Sequence, residues 1–379
     1  MVDFVSFSDI RLARFLWLPL VLIIAPAVLA EKVPPFEAEL FTGVAFQSDD
    51  IELQHLHDAA VARLQENLVP FTDNMQVLVE GGGYFNAWLE TQPMGGEMFA
   101  KRNLQVGLNN QVIFMLTQRE DGRLPGMVIA GDTARARGWD KSPPEAHVWM
   151  PETDMLADFE MFQGFCFPEP AWRIYHWMGR DRDYLKRLYS VLEDYDAYLW
   201  QTRDSNGDGV LETWCLWDTG EDASTRLETR LAPHRWPFEQ PPGAEGMPSP
   251  ENPDALSRYW FRQPTDPMPT ADQMKVPFQS MDINEPLFYN GRRNNRSGQP
   301  QGLTYQRAID AMENYGHYAE VTLLGQTLLP VLIDNDARFT QQLDPLTGAP
   351  SGQRPDGYGP MMLAALKSSV LFNLPTQTK

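Results

Sequence analysis

Apolar residues recur along this chain at the spacing of an α-helix far more often than at that of a strand, which restricts the fold to helix packed on helix. Ile51 to Leu68 places Leu53, Leu56, Ala60 and Leu64 on one face before Pro70 interrupts the pattern. Met98 to Gln118, Asp154 to Gly179, Asp183 to Thr202, Leu303 to Ile333 and Tyr358 to Phe372 carry the same spacing, and strand alternation is scarce. Helices joined in sequence by Gly- and Asp-containing turns form α-hairpins, and a series of hairpins closes into a toroid. No strict repeat is visible. The chain has 379 residues, 43% of them hydrophobic, enough to bury a core in one large domain or two small ones.

Charge excludes whole classes of partner. The formal net charge is −20 and the 31 Lys and Arg residues form no long basic run, which argues against nucleic acid and anionic membranes. A neutral, hydroxyl-rich substrate suits this balance better, and eleven Trp, twelve Tyr and twenty Phe supply rings on which sugars stack. Large helical cores use such rings too. Arg11 and Arg14 precede an apolar stretch, Phe15 to Ala30, that contains Pro19 and Pro26 and ends in Val28-Leu29-Ala30. Residues 1–30 therefore read as a signal peptide cleaved after Ala30, with a short membrane anchor as the alternative, and the product as secreted or extracytoplasmic. Cys166 and Cys215 both sit among aromatic residues, the setting of buried free thiols.

Chemistry concentrates in Trp217-Asp218-Thr219-Gly220-Glu221-Asp222-Ala223-Ser224, where three carboxylates, a glycine and an aromatic ring share one turn. The turn follows a helix and the run Asp204-Ser205-Asn206-Gly207-Asp208-Gly209, whose residues tolerate left-handed backbone and end helices. Loops on helical scaffolds often carry catalytic groups, and plain acidic surface loops look the same. Asp204-x-Asn206-x-Asp208-Gly209 imitates the start of a calcium loop, but Cys215 stands where a bidentate Glu is needed. Gly81-Gly82-Gly83 and Gly95-Gly96 lack the ending of a phosphate loop, HExxH is absent, and His55 and His57 read as surface residues. No metal, cofactor or protein partner is implied.

Tyr184-Leu185 through Tyr195-Asp196-Ala197-Tyr198-Leu199-Trp200, Arg203-Asp204, Asn206 to Glu212 and Asp218-Thr219-Gly220-Glu221-Asp222 together resemble the central segment of glycoside hydrolase family 63 and its mannosylglycerate-hydrolase-like relatives. Asn294 to Leu303, Asp344-Pro345-Leu346-Thr347-Gly348 and Asp356-Gly357-Tyr358-Gly359-Pro360 are similar to further blocks of that family in the same order, and the likeness extends over most of residues 80–372. The resemblance implies an all-α, (α/α)6 toroid over residues 31–379 and inverting hydrolysis of an α-linked glucoside or mannoside. Asp222 then falls on the general acid, with Trp214 and Trp217 as the apolar wall that keeps it protonated.

Inversion requires a second carboxylate roughly 6.5–9.5 Å from the first to activate water. In the family this base is a Glu three residues before the Asp/Asn-Pro-x-Thr-Gly motif, and here that position is Gln341, which cannot accept the proton. Asp344 or Asp356 would have to take over, or the chain is a non-catalytic, glycan-binding remnant. Substrate contacts are expected from Trp217, Glu221, Gln299, Gln301 and Tyr358, and from Lys101 and Arg102. Residues 226–276 form a Pro-rich excursion after the acid loop, either a wall of the cleft or a surface loop. Six hairpins need about twelve helices and roughly eight are readable. The deficit falls at Asn284/Glu285, where family segments that should be several helices apart adjoin, so the ring reads as incomplete.

Overall fold

The helical spacing is realised in a computed structural model that describes residues 45–141, 147–160, 162, 166–205, 207–213, 247–248, 300–344, 347–351 and 355–372. All of them fall in the unit Glu37–Lys379. Helix α1 (Ile51–Glu66) starts at Asp50, whose carboxylate accepts from the backbone N–H groups of Glu52 and Leu53 and so satisfies two donors that lack helical partners. It buries Leu53, Leu56, Ala60 and Leu64, and also His57, which lies 6% exposed with its ring stacked on Phe46. The surface assignment of His57 is thereby corrected. Its lowered pKa follows from burial, which disfavours the imidazolium.

Three further expectations are revised by local chemistry. Met98 to Gln118 is two helices, α2 (Gln92–Phe99) and α3 (Leu104–Leu116), because Asn103 caps a new start by accepting from Val106 N–H. These two helices nearly touch: a Cβ on Gly96 would lie 2.4 Å from Asn110 Cβ, and one on Gly107 2.7 Å from the Gly96 carbonyl oxygen. Leu303 to Ile333 is a hairpin, α7 (Gly302–Asn314) and α8 (Tyr318–Asp334), turned at Gly316 with φ of 73°. The front of Asp154 to Gly179 is a strand. Helix α5 (Pro168–Trp177) begins only where two prolines fit a first turn, whose N–H groups need no helical acceptor.

Short strands account for the rest. Met155–Asp158 (β6) belongs to a four-stranded antiparallel sheet of order β3-β4-β6-β5, with β3 at Ala87–Trp88, β4 at Met127–Ala130 and β5 at His147–Met150. None exceeds four residues, too few for alternation to register. β1 (Leu68–Thr72), which contains Pro70, pairs with β2 (Met75–Leu78). β7 (Glu212–Thr213) pairs with β8 (Met247–Pro248), so the Pro-rich excursion returns to the chain just ahead of the acid loop.

The helices α4 (Gly131–Ala136), α6 (Arg182–Thr202) and α9 (Gly359–Phe372) complete the described set of nine α-helices. The main core joins α1, α7, α8 and α9 through Leu56, Ile309, Met312, Leu328, Met361 and Leu366, each at most 1% exposed. Apolar stripes of α5 and α8 that a shortened ring would leave open are covered at Ala171, Ile174, Val321 and Leu324. Trp172, Tyr318 and Leu323 stay exposed. The Asn284/Glu285 junction and residues 1–30 lie outside the described residues. No helix among the described residues is long and apolar enough to cross a membrane.

Candidate active site

Three consecutive glycines build the centre of the site. Gly81, Gly82 and Gly83 all hold positive φ (74°, 58° and 93°), and a Cβ on Gly81 would lie 2.1 Å from Asn67 Nδ2 and 2.3 Å from the Gly357 carbonyl oxygen. The resulting tight turn, closed by Gly81 and Tyr84 exchanging backbone hydrogen bonds, presents Tyr84 to Gln341. Gln341 Nε2 donates to the Tyr84 hydroxyl at 3.3 Å. Gln341 is 2% exposed, yet its Oε1 has no hydrogen-bond partner. A buried carbonyl oxygen left unpaired is costly and marks either strain or a place for a ligand.

The backbone holds Gln341 at the N-terminus of α7. Gly302 N–H donates to the Gln341 carbonyl at 3.1 Å, Leu343 N–H donates to the Pro300 carbonyl at 2.9 Å, and Gln301 and Gln342 form a bridge. Gln301, 3% exposed, occupies the N-cap position of α7 without capping it through its side chain. Tyr358 arrives at the N-terminus of α9, 1% exposed, where its hydroxyl donates to Glu80 Oε1 at 2.9 Å and its ring centroid lies 6.5 Å from that of Tyr84. Trp88 sets its ring edge-on to Tyr84 at 6.3 Å and its buried Nε1–H is unpaired. Behind them Glu90 sits 3.8 Å from the Arg307 guanidinium, which also contacts the sulfur of buried Cys166.

Of the residues singled out in the sequence, the structure thus brings together Gln301, Gln341 and Tyr358. Asp344 and Asp356 lie on neighbouring turns and serve the backbone. Asp344 Oδ1 accepts from Thr347 N–H at 2.9 Å, and Asp356 Oδ1 accepts from Phe339 and Gly357 N–H, both at 2.7 Å, while its Oδ2 pairs with Arg63. Lys101 and Arg102 occupy the turn between α2 and α3, where burial lowers both pKa values and where Lys101 interacts with Lys367, Glu313 and Glu97 rather than with the Gln341 group. Asp222, Glu221, Trp217, Gln299 and Cys215 lie outside the described residues. Tyr84, Trp88, Glu80, Glu90 and Arg307 were not anticipated. Aromatic residues directly after a glycine triplet were the available signal.

Two turns further along the same helices, about 12 Å from their N-termini, the polar groups are of a different kind. Arg173 of α5 binds Asp310 and Asn314 of α7, and Lys367 of α9 binds Glu313 and approaches Asp310 at 3.6 Å. Glu97 of α2 accepts from Trp177 Nε1–H at 3.1 Å and lies 3.7 Å from Arg173. Burial raises the Glu97 pKa even though Lys367 and Arg173 pull it down.

The comparisons with known proteins agree with this architecture. Residues 97–308 match the mannosylglycerate hydrolase MGH1-like glycoside hydrolase domain. Among solved structures, the GH63 mannosylglycerate hydrolase from Thermus thermophilus in complex with glucose superposes with a TM-score of 0.59 at 16% identity, covering 83% of this chain and 99% of that one. The same enzyme in complex with Tris gives 0.56 at 16% identity, over 82% and 99%. No curated protein sequence matches the chain. The shared fold is the helical (α/α)6 toroid. With a family match spanning more than half of its length, the chain belongs to the MGH1-like glycoside hydrolases.

Proposed function

We propose that the chain takes an α-linked glucoside or mannoside at the mouth formed by Gln341, Tyr84, Trp88, Gln301 and Tyr358, and cleaves it with inversion, Asp222 giving its proton to the leaving oxygen. The observation that carries this reading is the buried Gln341 side chain, whose Oε1 is unpaired beside the Tyr84 hydroxyl. A hexose offers hydroxyl donors for such an acceptor and an apolar face for the rings. The Thermus enzyme that shares the fold is described in complex with glucose, which supports the choice of sugar.

In an inverting reaction the water stands opposite the leaving group, between two carboxyl groups. Here Gln341 Oε1 can accept a hydrogen bond from that water and orient it, but cannot remove its proton, which passes to solvent water as the new C–O bond forms while Asp222 is reprotonated from solvent. Turnover is therefore slow. Asp344 and Asp356 accept backbone hydrogen bonds, which favours a second reading in which the mouth binds glycans without cleaving them. The product itself separates these readings. ¹H NMR of p-nitrophenyl α-glucoside or α-mannoside hydrolysis should show the β-anomer first. Saturable binding without product would favour the second reading, while an initial α-anomer would overturn inversion. Export belongs to the same proposal: secreted protein should begin Glu31-Lys32-Val33-Pro34, and retained Met1 would contradict cleavage after Ala30.

A further inference from the structure

The four-stranded sheet adjoins the mouth, because Trp88 of β3 sets its ring edge-on to Tyr84, the partner of Gln341. Its register aligns Trp88, Met127, Asp158 and His147 in one row and Ile129, Leu156 and Trp149 in the next, so both rows share one face. The aliphatic floor of this face is closed: Met127, Ile129 and Leu156 are at most 2% exposed. The rings above it are not. Phe85, Trp88, Trp139, His147 and Trp149 are each half-buried. Trp139 stacks on His147 with centroids 6.0 Å apart and planes 15° from parallel, and tilts against Phe85 at 5.7 Å.

Polar groups border these rings. His147 Nε2 and Asp158 Oδ2 are 3.1 Å apart across the strands. The exposed Arg137 guanidinium lies 3.2 Å over the Phe85 ring and pairs with no carboxylate among the described residues, which leaves its N–H donors available. A row crossing three strand spacings runs roughly 14 Å, long enough for more than one sugar ring. Packing on the aliphatic floor accounts for the buried side of these rings, and their other side remains open to a ligand.

We propose that this aromatic face is an outer subsite of the cleft, which takes the further units of an α-linked oligosaccharide. The proposal rests on the sugar-binding reading of the mouth and adds that the preferred ligand is a chain rather than a single glycoside. Rings would stack on Trp139 and Trp149 while Arg137 donates to ring hydroxyls.

Isothermal titration calorimetry of the full chain with α-gluco- and α-manno-oligosaccharides, from disaccharide to hexasaccharide, tests it without requiring turnover. Affinity should rise about tenfold or more with length, and Trp139→Ala should abolish the rise while leaving disaccharide affinity unchanged. Arg137→Ala, which removes the exposed donor and its contact with Phe85, should reduce the rise while leaving disaccharide affinity unchanged. Disaccharide binding that does not strengthen with length would overturn the outer subsite and leave the mouth intact. Failure to bind any of these sugars would overturn the reading of the mouth itself, and the subsite with it.

Discussion

The N-terminal ends of α7 and α9 and the middle of the same helices bury polar side chains in opposite ways. At the mouth Gln341, Tyr84, Trp88 and Gln301 are neutral and atoms of Gln341 and Trp88 are unpaired, while Tyr358 donates to the Glu80 carboxylate. Two turns along, Arg173, Glu97, Asp310, Lys367 and Glu313 are charged and matched in a network that ties α2, α5, α7 and α9 together. The matched network joins residues 137 positions apart, Arg173 and Asp310, and so closes the ring between its early and late segments. Polar groups matched in this way hold the fold, whereas a buried atom left unmatched costs stability.

This contrast can be broken most forcefully at Arg173. Arg173→Met should leave Asp310 and Glu97 buried with fewer counter-charges and cost about 3–5 kcal/mol in a denaturant melt. A loss no greater than that of an exposed pair, under about 1 kcal/mol, would mean that the network is solvated and not structural. The mouth should respond the other way. Gln342 is 1% exposed and neither atom of its amide is paired. Gln342→Leu should therefore stabilise the protein, by about 1 kcal/mol, and a destabilisation of the same size would reveal an unseen partner.

Smaller effects lie in the pH dependence. Because burial raises the Glu97 pKa, its contribution is fully present below the ordinary carboxylate pKa and is lost as pH rises through the raised value. The Glu97→Gln variant, which keeps an acceptor for Trp177, should therefore gain on the wild type as pH increases, as read by paired thermal melts. A constant difference would show that Glu97 does not titrate differently in the folded protein. His57 has the opposite sign: burial lowers its pKa, so its contribution is present above 6.5 and fades as pH falls. His57→Gln should flatten the acid side of the stability curve. If the curve keeps its shape, protonation of His57 is not part of acid unfolding.

Much of the helical frame was legible because long amphipathic segments with clear stops, such as α1 and α6, leave a periodic signal that outlasts local exceptions. What was hidden is short or local: the cap at Asn103, the turn at Gly316 and four-residue strands such as β6. Of the candidate site, Gln341, Gln301 and Tyr358 belong to motifs that the sequence shows, but Tyr84 lies 257 positions from Gln341 and meets it only through folding. Lys101 and Arg102 lie apart from this group, in the turn after α2, where Lys101 interacts with Lys367, Glu313 and Glu97.

Gln341→Glu tests most directly the proposal that the mouth is a glycoside site in which an amide stands where a base is needed. Turnover of p-nitrophenyl α-glucoside or α-mannoside should rise by about 10²–10³, with a pH profile that acquires an acidic limb as the new carboxylate ionises and with ligand affinity little changed. A variant that still binds the glycoside and turns over no faster than the wild type would contradict the account, since Gln341 would then not occupy the position from which water is activated.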